Sequence, residues 1–416
     1  MNHLGTETNI AIAGMGVISP FGLGLEPFSQ ALEKGESGIK PVARFPVKDW
    51  CSGQLAGAVP EFSLEELVHN PKESAQALRT FQLAWAAMHL ALQDAALTLE
   101  EPLRERTGIF VGLSRFVEEP LEFLMERLIV GRMQEILPVR IEKFHPHGTA
   151  AHLSYLYKIF GPTLTFPASG HSGIQALETA ILYLENDLID AALVLSVDPL
   201  SPFRFHAEAA AGMVSKAKSP DGAPRPYDRE ADGLVPGEGA VAFVLERERD
   251  ALAQGAKIHA RLAALETAVM PEPFPPFPNT TEGTSRVLAR LFARIEPKEV
   301  GLIHGDGRGL PRLDQAESLG IRKVLDQFQA TIPVTSIHGS IGYAGGTSVF
   351  FQIVSTARTL QSSTIPAIQN FSRPRDGCDL DYVSGRARSA PVEQAVVLSQ
   401  GWGGHQAALL MRKGGQ

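Results

Sequence analysis

Cysteine is scarce in this sequence, since Cys51 and Cys378 are the only two among its 416 residues. Two cysteines cannot build a disulfide framework or a Cys-rich zinc or iron–sulfur site, and their scarcity favours a reducing, cytoplasmic compartment. No apolar run approaches the roughly 20 residues of a membrane span, and residues 1–9 lack the basic start of a signal peptide. We therefore expect a cytoplasmic protein with no membrane partner.

An excess of positive charge is also missing, because 38 Lys and Arg face 46 Asp and Glu and leave a net charge of -8. This balance argues against nucleic acid or an anionic membrane as a general partner. The twelve histidines are scattered, no H-x-x-E-H spacing occurs, and the glycine-rich turn at residues 305–309 lacks the GK[ST] of a P-loop. The sequence thus predicts no metal and no cofactor.

What is present is an alternation of short apolar runs with longer helical patterns, which is typical of layered α/β proteins. The helix predicted at residues 75–96 is apolar on most faces, and a second helix begins near residue 170. A boundary near residue 255 divides the chain into halves of residues 1–255 and 256–416. Strands are predicted at residues 9–13, 108–112, 191–197, 240–245, 300–304 and 395–398.

The segment TFPASGHSGIQALETA is the first candidate site, because it runs from a strand end into the second helix. A helix N-terminus offers unpaired N–H groups and positive potential that suit a nucleophile or an oxyanion. Ser172 does not fit the G-x-S-x-G elbow of α/β-hydrolases, since the residue two places after it is Ile174. Packing of small residues at a helix start explains Ser169 and Ser172 better.

Three glycine-rich segments provide further candidates. They are LIHGDGRGLPRLDQAE with His304, VTSIHGSIGYAGG with His338, and LSQGWGGHQAALLMRK near the C-terminus. Closely spaced glycines indicate turns with unusual backbone dihedrals. A histidine at a strand end is more often structural than catalytic, so none of the three segments identifies a function by itself.

Taken in order, five segments resemble the β-ketoacyl synthase family of the thiolase fold. The opening IAIAGMGVISPFGLGLEPFSQALEKGESGI resembles its first strand and helix, and RPYDREADGLVPGEGAVAFVLE resembles its RPFDxxRDGFVxGEGAG signature. HGDG at 304–307, CDLDYV at 378–383 and GWGG at 401–404 resemble its HGTGT, DLDYV and GFGG elements. The resemblance spans residues 8–412 and implies a thiolase-like five-layer αβαβα sandwich of two related α/β halves, usually dimeric.

The resemblance also implies which catalytic residues this chain lacks. The acyl-accepting Cys of the family aligns with Pro167, which has no nucleophilic atom. His304 keeps the first family His, whereas the second aligns with Gly339 and leaves His338 one residue early. Covalent acyl transfer at Pro167 is therefore chemically impossible.

Three other family positions differ as well. The lysine upstream of the second family His aligns with Val334, and the gating Phe aligns with Gln400, beside Trp402. The first threonine of HGTGT is replaced by Asp306, whose carboxylate would repel the carboxylate of a malonyl group or titrate at a raised pKa.

Residues 116–137 are rich in Phe, Leu and Met, and the resemblance places this region near the dimer interface and the acyl tunnel. Large side chains there would cap the tunnel, although plain interface or core packing explains them as well. The tunnel candidates are Phe116, Leu124, Leu128, Met133, Gln400 and Trp402.

These losses favour a condensing-enzyme fold without condensing chemistry. Chain-length factors resemble the active ketosynthase, lack its Cys and complete its tunnel as heterodimer partners, although many carry Gln where this chain has Pro167. We expect this role in carrier-protein-dependent polyketide biosynthesis, with the partner supplying most of the surface for the acidic carrier protein, since this chain is acidic too. The alternative is an active acyltransferase, ester-forming or decarboxylating enzyme that uses His304 or His338 without a Cys nucleophile.

Overall fold

The computed structural model describes residues 9–74, 77–114, 118–132, 134, 145–271 and 281–415. Short paired strands flank a long mixed sheet in this part of the chain. The strands are β1 (Ile10–Ser19), β2 (Gly22–Leu23), β3 (Lys40–Pro41), β4 (Leu55–Ala56), β5 (Thr107–Gly112), β6 (Thr163–Phe166), β7 (Ala191–Asp198), β8 (Gly239–Arg247), β9 (Ala260–Val269), β10 (Val300–His304), β11 (Val334–Thr335), β12 (Thr364–Ile365), β13 (Arg388–Ser389), β14 (Gln394–Gln400) and β15 (His405–Lys413).

Helices alternate with these strands along most of the chain, as the apolar periodicity predicts. The helices are α1 (Leu25–Lys34), α2 (Leu64–Val68), α3 (Pro71–Ser74), α4 (Arg79–Asp94), α5 (Glu118–Ile129), α6 (Gly148–Tyr157), α7 (Ser172–Glu185), α8 (Pro202–Ala210), α9 (Glu248–Ala253), α10 (Glu282–Phe292), α11 (Pro311–Phe328), α12 (His338–Ile341) and α13 (Ser348–Ser362).

The two halves of the chain repeat one strand order. It is β1-β8-β7-β5-β6 in the first half and β9-β15-β14-β10-β11 in the second. Pairing directions repeat too: β5 is parallel to β6 and β7, and β10 is parallel to β11 and β14, while β8 and β15 are antiparallel to their neighbours. The halves join where β1 pairs with β9. The boundary proposed near residue 255 falls between α9 and β9, and the division into two domains stays a proposal.

Three hydrophobic clusters stack the elements in layers. One outer cluster lies between α4 and strands β1, β7 and β8, and the other lies among α10, α11 and strands β9 and β15. The central cluster contains α7 and α13, which pack against each other between the two halves of the sheet. This order of helix, sheet, helix, sheet and helix confirms the predicted five-layer fold.

The predicted strands are confirmed, and β1 extends beyond the predicted residues 9–13. Its continuation contains two glycines that let α4 pack closely on the strand: a Cβ atom on Gly16 would lie 1.9 Å from the carbonyl oxygen of Ala87. The helix predicted at residues 75–96 is α4, and residues 75–76 lie outside the described residues. Within the described ranges, the helices are too short or too polar to cross a bilayer.

Candidate functional site

Three parallel strands bring the candidate residues to one edge of the sheet, because the carboxyl ends of β10, β11 and β14 lie side by side. His304 ends β10, Gln400 ends β14, and His338 begins α12 just after β11. A Cβ atom on Gly170 would lie 2.6 Å from the hydroxyl oxygen of Tyr343. The turn between β6 and α7 therefore adjoins the same edge.

Pro167 lies directly after β6 and is exposed. It lines a cavity of about 970 Å³ together with residues of α4, α6 and β6. Ser172, the first residue of α7, is buried, and its hydroxyl has no hydrogen-bond partner among the described residues. A serine nucleophile needs a base within hydrogen-bond reach, so the geometry supports helix-start packing for Ser172.

Both candidate histidines are buried and neutral. Nδ1 of His304 lies 3.1 Å from the hydroxyl oxygen of Thr356, and Nδ1 of His338 lies 3.0 Å from the carbonyl oxygen of Gly307. Burial lowers the pKa of His304 to about 3, and repulsion between the two rings when both are protonated adds to the shift. Burial also lowers the pKa of His338 to about 4, against the opposing charge of Asp306.

Asp306 is paired with a neighbour two residues away. Nε of Arg308 donates to Oδ1 of Asp306 at 3.1 Å, and Nη2 donates to Oδ2 at 2.5 Å. Oδ2 also accepts the backbone N–H of Gln400 at 2.7 Å, and Nη2 of Arg308 donates to the Gln400 carbonyl. The expectation of an uncompensated carboxylate at Asp306 is therefore wrong, because Arg308 neutralises it.

Arg308 is fully buried and keeps its charge. Its guanidinium carbon lies 4.0 Å from the centre of the Tyr343 ring, which is a cation–π contact. Burial opposes the charge of Arg308, but the Asp306 carboxylate outweighs it, so the pKa of the guanidinium stays above its ordinary value. Asp306, Arg308, Tyr343 and His338 thus fill the space at the strand ends with side chains.

Two buried acidic side chains, Glu317 and Asp314, accept hydrogen bonds from the backbone around Asp306 and Arg308. Glu317 accepts the backbone N–H of Asp306 at 2.9 Å and the hydroxyl of Tyr227 at 2.6 Å. Asp314 accepts the backbone N–H groups of Tyr227 and Arg308, each at 2.9 Å. Burial and the nearby charge of Asp306 raise the pKa of Glu317 to about 8, and burial raises that of Asp314 to about 6, against its backbone hydrogen bonds.

Gly339 is too tightly packed to carry a side chain. A Cβ atom there would lie 2.8 Å from the carbonyl oxygen of Gln369 and 2.9 Å from its Cβ. The structure therefore leaves no room for an imidazole at the position that the resemblance assigns to the second histidine. His338 beside it points its ring toward Tyr343, with ring centres 5.9 Å apart.

The tunnel candidates do not form one cluster among the described residues. Gln400 is buried beside Asp306 and Arg308, Trp402 is half-buried in the glycine-rich turn before β15, Leu124 is half-buried on α5 and Leu128 is exposed. Phe116 and Met133 lie outside the described residues. Their assignment to a tunnel stays a prediction.

Charged side chains also occupy the start of α5, in the region where the resemblance places an acyl tunnel. Glu118 is buried and accepts the hydroxyl of Ser201 at 3.2 Å. Arg204 on α8 pairs with Glu118 at 3.4 Å and with Glu208 at 2.6 Å. Removal of one member of a buried ion pair is costly, so Glu118, Arg204 and Glu208 depend on one another where α5 meets α8.

The interpretation of the motifs missed Arg308 and Tyr343. Both were detectable, since Arg308 stands at the last threonine of HGTGT, and Tyr343 stands at the first alanine of the family's GAAG. Across the described residues, no group of three or more His, Cys, Asp or Glu side chains is arranged to hold a metal ion.

Comparison with known proteins gives two family matches. Residues 7–251 match the family described as Beta-ketoacyl synthase, N-terminal domain, and residues 273–372 match Beta-ketoacyl synthase, C-terminal domain. The chain is 27% identical to the oxytetracycline polyketide putative beta-ketoacyl synthase 1 of Streptomyces rimosus, over 100% of both proteins.

Two solved structures are similar over almost the whole chain. The ishigamide ketosynthase/chain length factor superposes with a TM-score of 0.89 at 25% identity, over 99% of this chain and 100% of that one. A type II PKS acyl-carrier protein in complex with its ketosynthase gives a TM-score of 0.88 at 23% identity, over 98% and 100%. The second likeness shows the fold alone.

Proposed function

Because the chain belongs to the β-ketoacyl synthase family, we propose that it is a non-catalytic, chain-length-factor-like subunit of a type II polyketide synthase. It pairs with a Cys-bearing ketosynthase, shapes the tunnel for the growing chain and thereby sets chain length. The observation that carries this proposal is the buried Asp306–Arg308 pair under Tyr343, which stands at the motif positions where the resemblance implies a site for a malonyl group.

Pro167 supports the same conclusion. In the proposed alignment it replaces the acyl-accepting Cys, and its ring offers neither a nucleophile nor an N–H. Gly339 supports it as well, because a second catalytic imidazole there would collide with Gln369. Asp306 and Arg308 neutralise each other, so the pair has no net positive charge with which to bind a malonyl carboxylate.

We place the partner subunit on the face that contains β6. Among the described residues this strand is the last in the sheet order, and proteins seldom leave such an edge strand uncovered. Tyr155 and Phe160, on either side of the connection from α6, are 70% and 65% exposed. The helix α5, which contacts α8, has an exposed apolar face of Leu121, Met125, Leu128 and Ile129. A chain of the same fold can continue the sheet at β6.

Pairing at β6 also gives the cavity beside Pro167 a role. A volume of about 970 Å³ is in the range of ligand-binding pockets, and most of its lining is apolar. In this arrangement the cavity opens onto the partner, and it extends the partner's tunnel into this subunit. The carrier protein then docks mainly on the partner, because this chain is acidic. The cytoplasmic location stays a prediction.

Co-expression with the ketosynthase encoded next to this chain tests the proposal. We expect a stable heterodimer on size-exclusion chromatography and a polyketide only when both subunits are present. The double variant Tyr155→Glu and Phe160→Glu should abolish the pair, whereas Leu252→Glu on the exposed part of α9 should leave it intact. A well-behaved homodimer that never captures the ketosynthase would overturn the proposal.

The alternative of an active enzyme that uses His304 or His338 receives less support, since both rings are fully buried and Nδ1 of each ring already lies within hydrogen-bond distance of a protein oxygen. It makes a distinct prediction. Incubation of the chain alone with acyl-carrier-protein thioesters, followed by mass spectrometry, would then reveal turnover that is lost in His304→Ala. We expect no turnover.

A further inference from the structure

The last residues of β14 extend beyond their parallel neighbour. The ladder between β10 and β14 ends at the pair His304 and Val397, because β10 stops at His304. Gln400, the last residue of β14, is nevertheless buried. A buried backbone N–H or C=O without a partner costs free energy, so the backbone of Gln400 needs partners that β10 does not provide.

Two side chains take the place of the missing strand. Oδ2 of Asp306 accepts the backbone N–H of Gln400 at 2.7 Å, and Nη2 of Arg308 donates to the Gln400 carbonyl oxygen. The same two side chains form the buried ion pair, in which each keeps only 1% of its surface exposed. Both backbone groups of Gln400 are therefore bonded to one charged pair, and hydrogen bonds to charged groups are stronger than those between neutral groups.

Gln400 is the entry to the glycine-rich turn of residues 401–404. Gly403 and Gly404 have positive φ angles of 77° and 80°, which glycine adopts readily. The N–H of Gly401 closes the turn on the carbonyl oxygen of His405 at 2.8 Å, and the N–H of Met270 donates to the Gly404 carbonyl oxygen at 2.8 Å. The turn is thus a short, pliable element fixed at its ends, and the Asp306–Arg308 pair fixes the end at Gln400.

The turn lies against the start of α7. A Cβ atom on Gly401 would lie 3.0 Å from Cβ of His171. The imidazole of His171 stacks on that of His405, with ring centres 4.8 Å apart and planes inclined by 25°. Burial lowers the pKa of His171 to about 3, so this ring is neutral in the stack. His171 is buried, and the turn therefore covers the residues that join Pro167 to α7.

We propose that the Asp306–Arg308 pair locks the turn of residues 401–404 in a closed position over the start of α7, and so keeps small molecules away from His171. Loss of Arg308 leaves the Gln400 carbonyl buried without its donor, and the turn then moves outward to form a hydrogen bond with water. This inference goes beyond the proposed function, since it concerns the chain alone and needs neither the ketosynthase nor a substrate.

A lock and a purely stabilising ion pair make different predictions. If the pair only adds stability, its loss exposes every buried group in proportion to global unfolding. If it locks the turn, its loss exposes the residues under the turn while the rest of the fold stays closed. A cysteine placed under the turn can therefore be compared with the buried Cys378 of the same chain.

The experiment measures iodoacetamide labelling of His171→Cys in the full chain by peptide mass spectrometry. Adding Arg308→Met should speed labelling at position 171 at least about tenfold, as the loss of one hydrogen bond to a charged group provides, while Cys378 stays unlabelled. Arg308→Lys is a milder change, because it keeps a charge beside Asp306 but lacks the forked donors of a guanidinium, and it should act in the same direction. The control Arg249→Met, in a side chain that is 69% exposed, should leave the rate unchanged.

Hydrogen exchange gives a second measurement that needs no new cysteine. The amide of Gly401 should exchange faster in Arg308→Met than in the wild type, with the amides of β5 unchanged. Equal labelling of His171→Cys with and without Arg308→Met would overturn the inference. So would labelling of Cys378 that rises in parallel in both Arg308 variants, because the pair would then support this half of the fold as a whole rather than the turn.

Discussion

The guanidinium of Arg308 lies against the ring of Tyr343, 4.0 Å from its centre, at the carboxyl ends of β10 and β14. Tyr343 in turn reaches the start of α7 at Gly170. Each of the two large side chains stands at a position where the family motif has a small one. Together with Asp306 they form a buried ion pair with an aromatic cover, at the place where the family resemblance implies a substrate.

Removing both members of this pair should cost less than the sum of the two single removals. Arg308→Met leaves the Asp306 carboxylate buried without its cation, and such changes cost about 3–5 kcal/mol of unfolding free energy. Asp306→Ala leaves the Arg308 guanidinium buried without its anion, at a similar cost. In the double variant the two losses should cancel in part, with a coupling energy of about 1–3 kcal/mol in a double-mutant cycle from urea unfolding.

The matched control for that cycle is Arg249→Met. The Arg249 side chain is 69% exposed, so we expect its loss to change the free energy by no more than about 0.5 kcal/mol. A double variant as unstable as the sum of the two single variants would show that Asp306 and Arg308 do not act as a pair.

Restoring the missing nucleophile should not restore condensation. In Pro167→Cys the new thiol is exposed at the cavity, and we expect iodoacetamide to label it, whereas Cys51 and Cys378 are buried and should stay unlabelled. No carbon–carbon bond should form from acyl and malonyl carrier-protein thioesters, because Arg308 fills the adjoining space. Condensation by Pro167→Cys alone that iodoacetamide abolishes would contradict this prediction, and the partner ketosynthase is the positive control.

The layered fold and the placement of His304 and Gln400 at strand ends could be predicted, because motif order and hydrophobic periodicity are local properties of the sequence. The pairing of Asp306 with Arg308 could not, since it depends on how two side chains turn toward each other beneath Tyr343, 35 residues after Arg308 in the sequence. Considered without Arg308, the Asp306 carboxylate was predicted to repel the carboxylate of a malonyl group. The exposure of Leu128 could not be predicted either, because an apolar residue has the same sequence pattern on a helix whether it faces the core or the surface.

Gly339 should tolerate no side chain. Gly339→Ala places a methyl group 2.8 Å from the Gln369 carbonyl oxygen, and overpacking of this kind costs about 1–3 kcal/mol. Thermal unfolding of the variant measures the loss. Gly222→Ala is a matched control, because a Cβ atom there meets only the methyl group of Ala217, at 3.1 Å. A melting temperature unchanged in Gly339→Ala would mean that the segment around Gln369 yields easily, and that a histidine could be accommodated.

The stability of the chain should be greatest near pH 6.5. His304 and His338 stay neutral in the folded protein down to pKa values of about 3 and 4. The unfolded chain protonates the same residues below about pH 6.5, so acid lowers the free energy of unfolding by about 1.4 kcal/mol per pH unit for each histidine. Both contributions vanish above pH 6.5, where the histidines are neutral in either state.

Glu317 limits stability on the alkaline side. Its pKa is raised to about 8, so the folded protein retains a proton that the unfolded chain releases above about pH 4.5. Its contribution to the free energy of unfolding therefore falls from about pH 4.5 to pH 8, by up to about 1.4 kcal/mol per pH unit, and above pH 6.5 the histidines no longer offset that fall. Glu317→Gln keeps an acceptor for Tyr227 without the titrating proton, and urea unfolding between pH 6.5 and 8 should show a flat profile for this variant. A variant that follows the wild-type decline would assign the alkaline loss to another group.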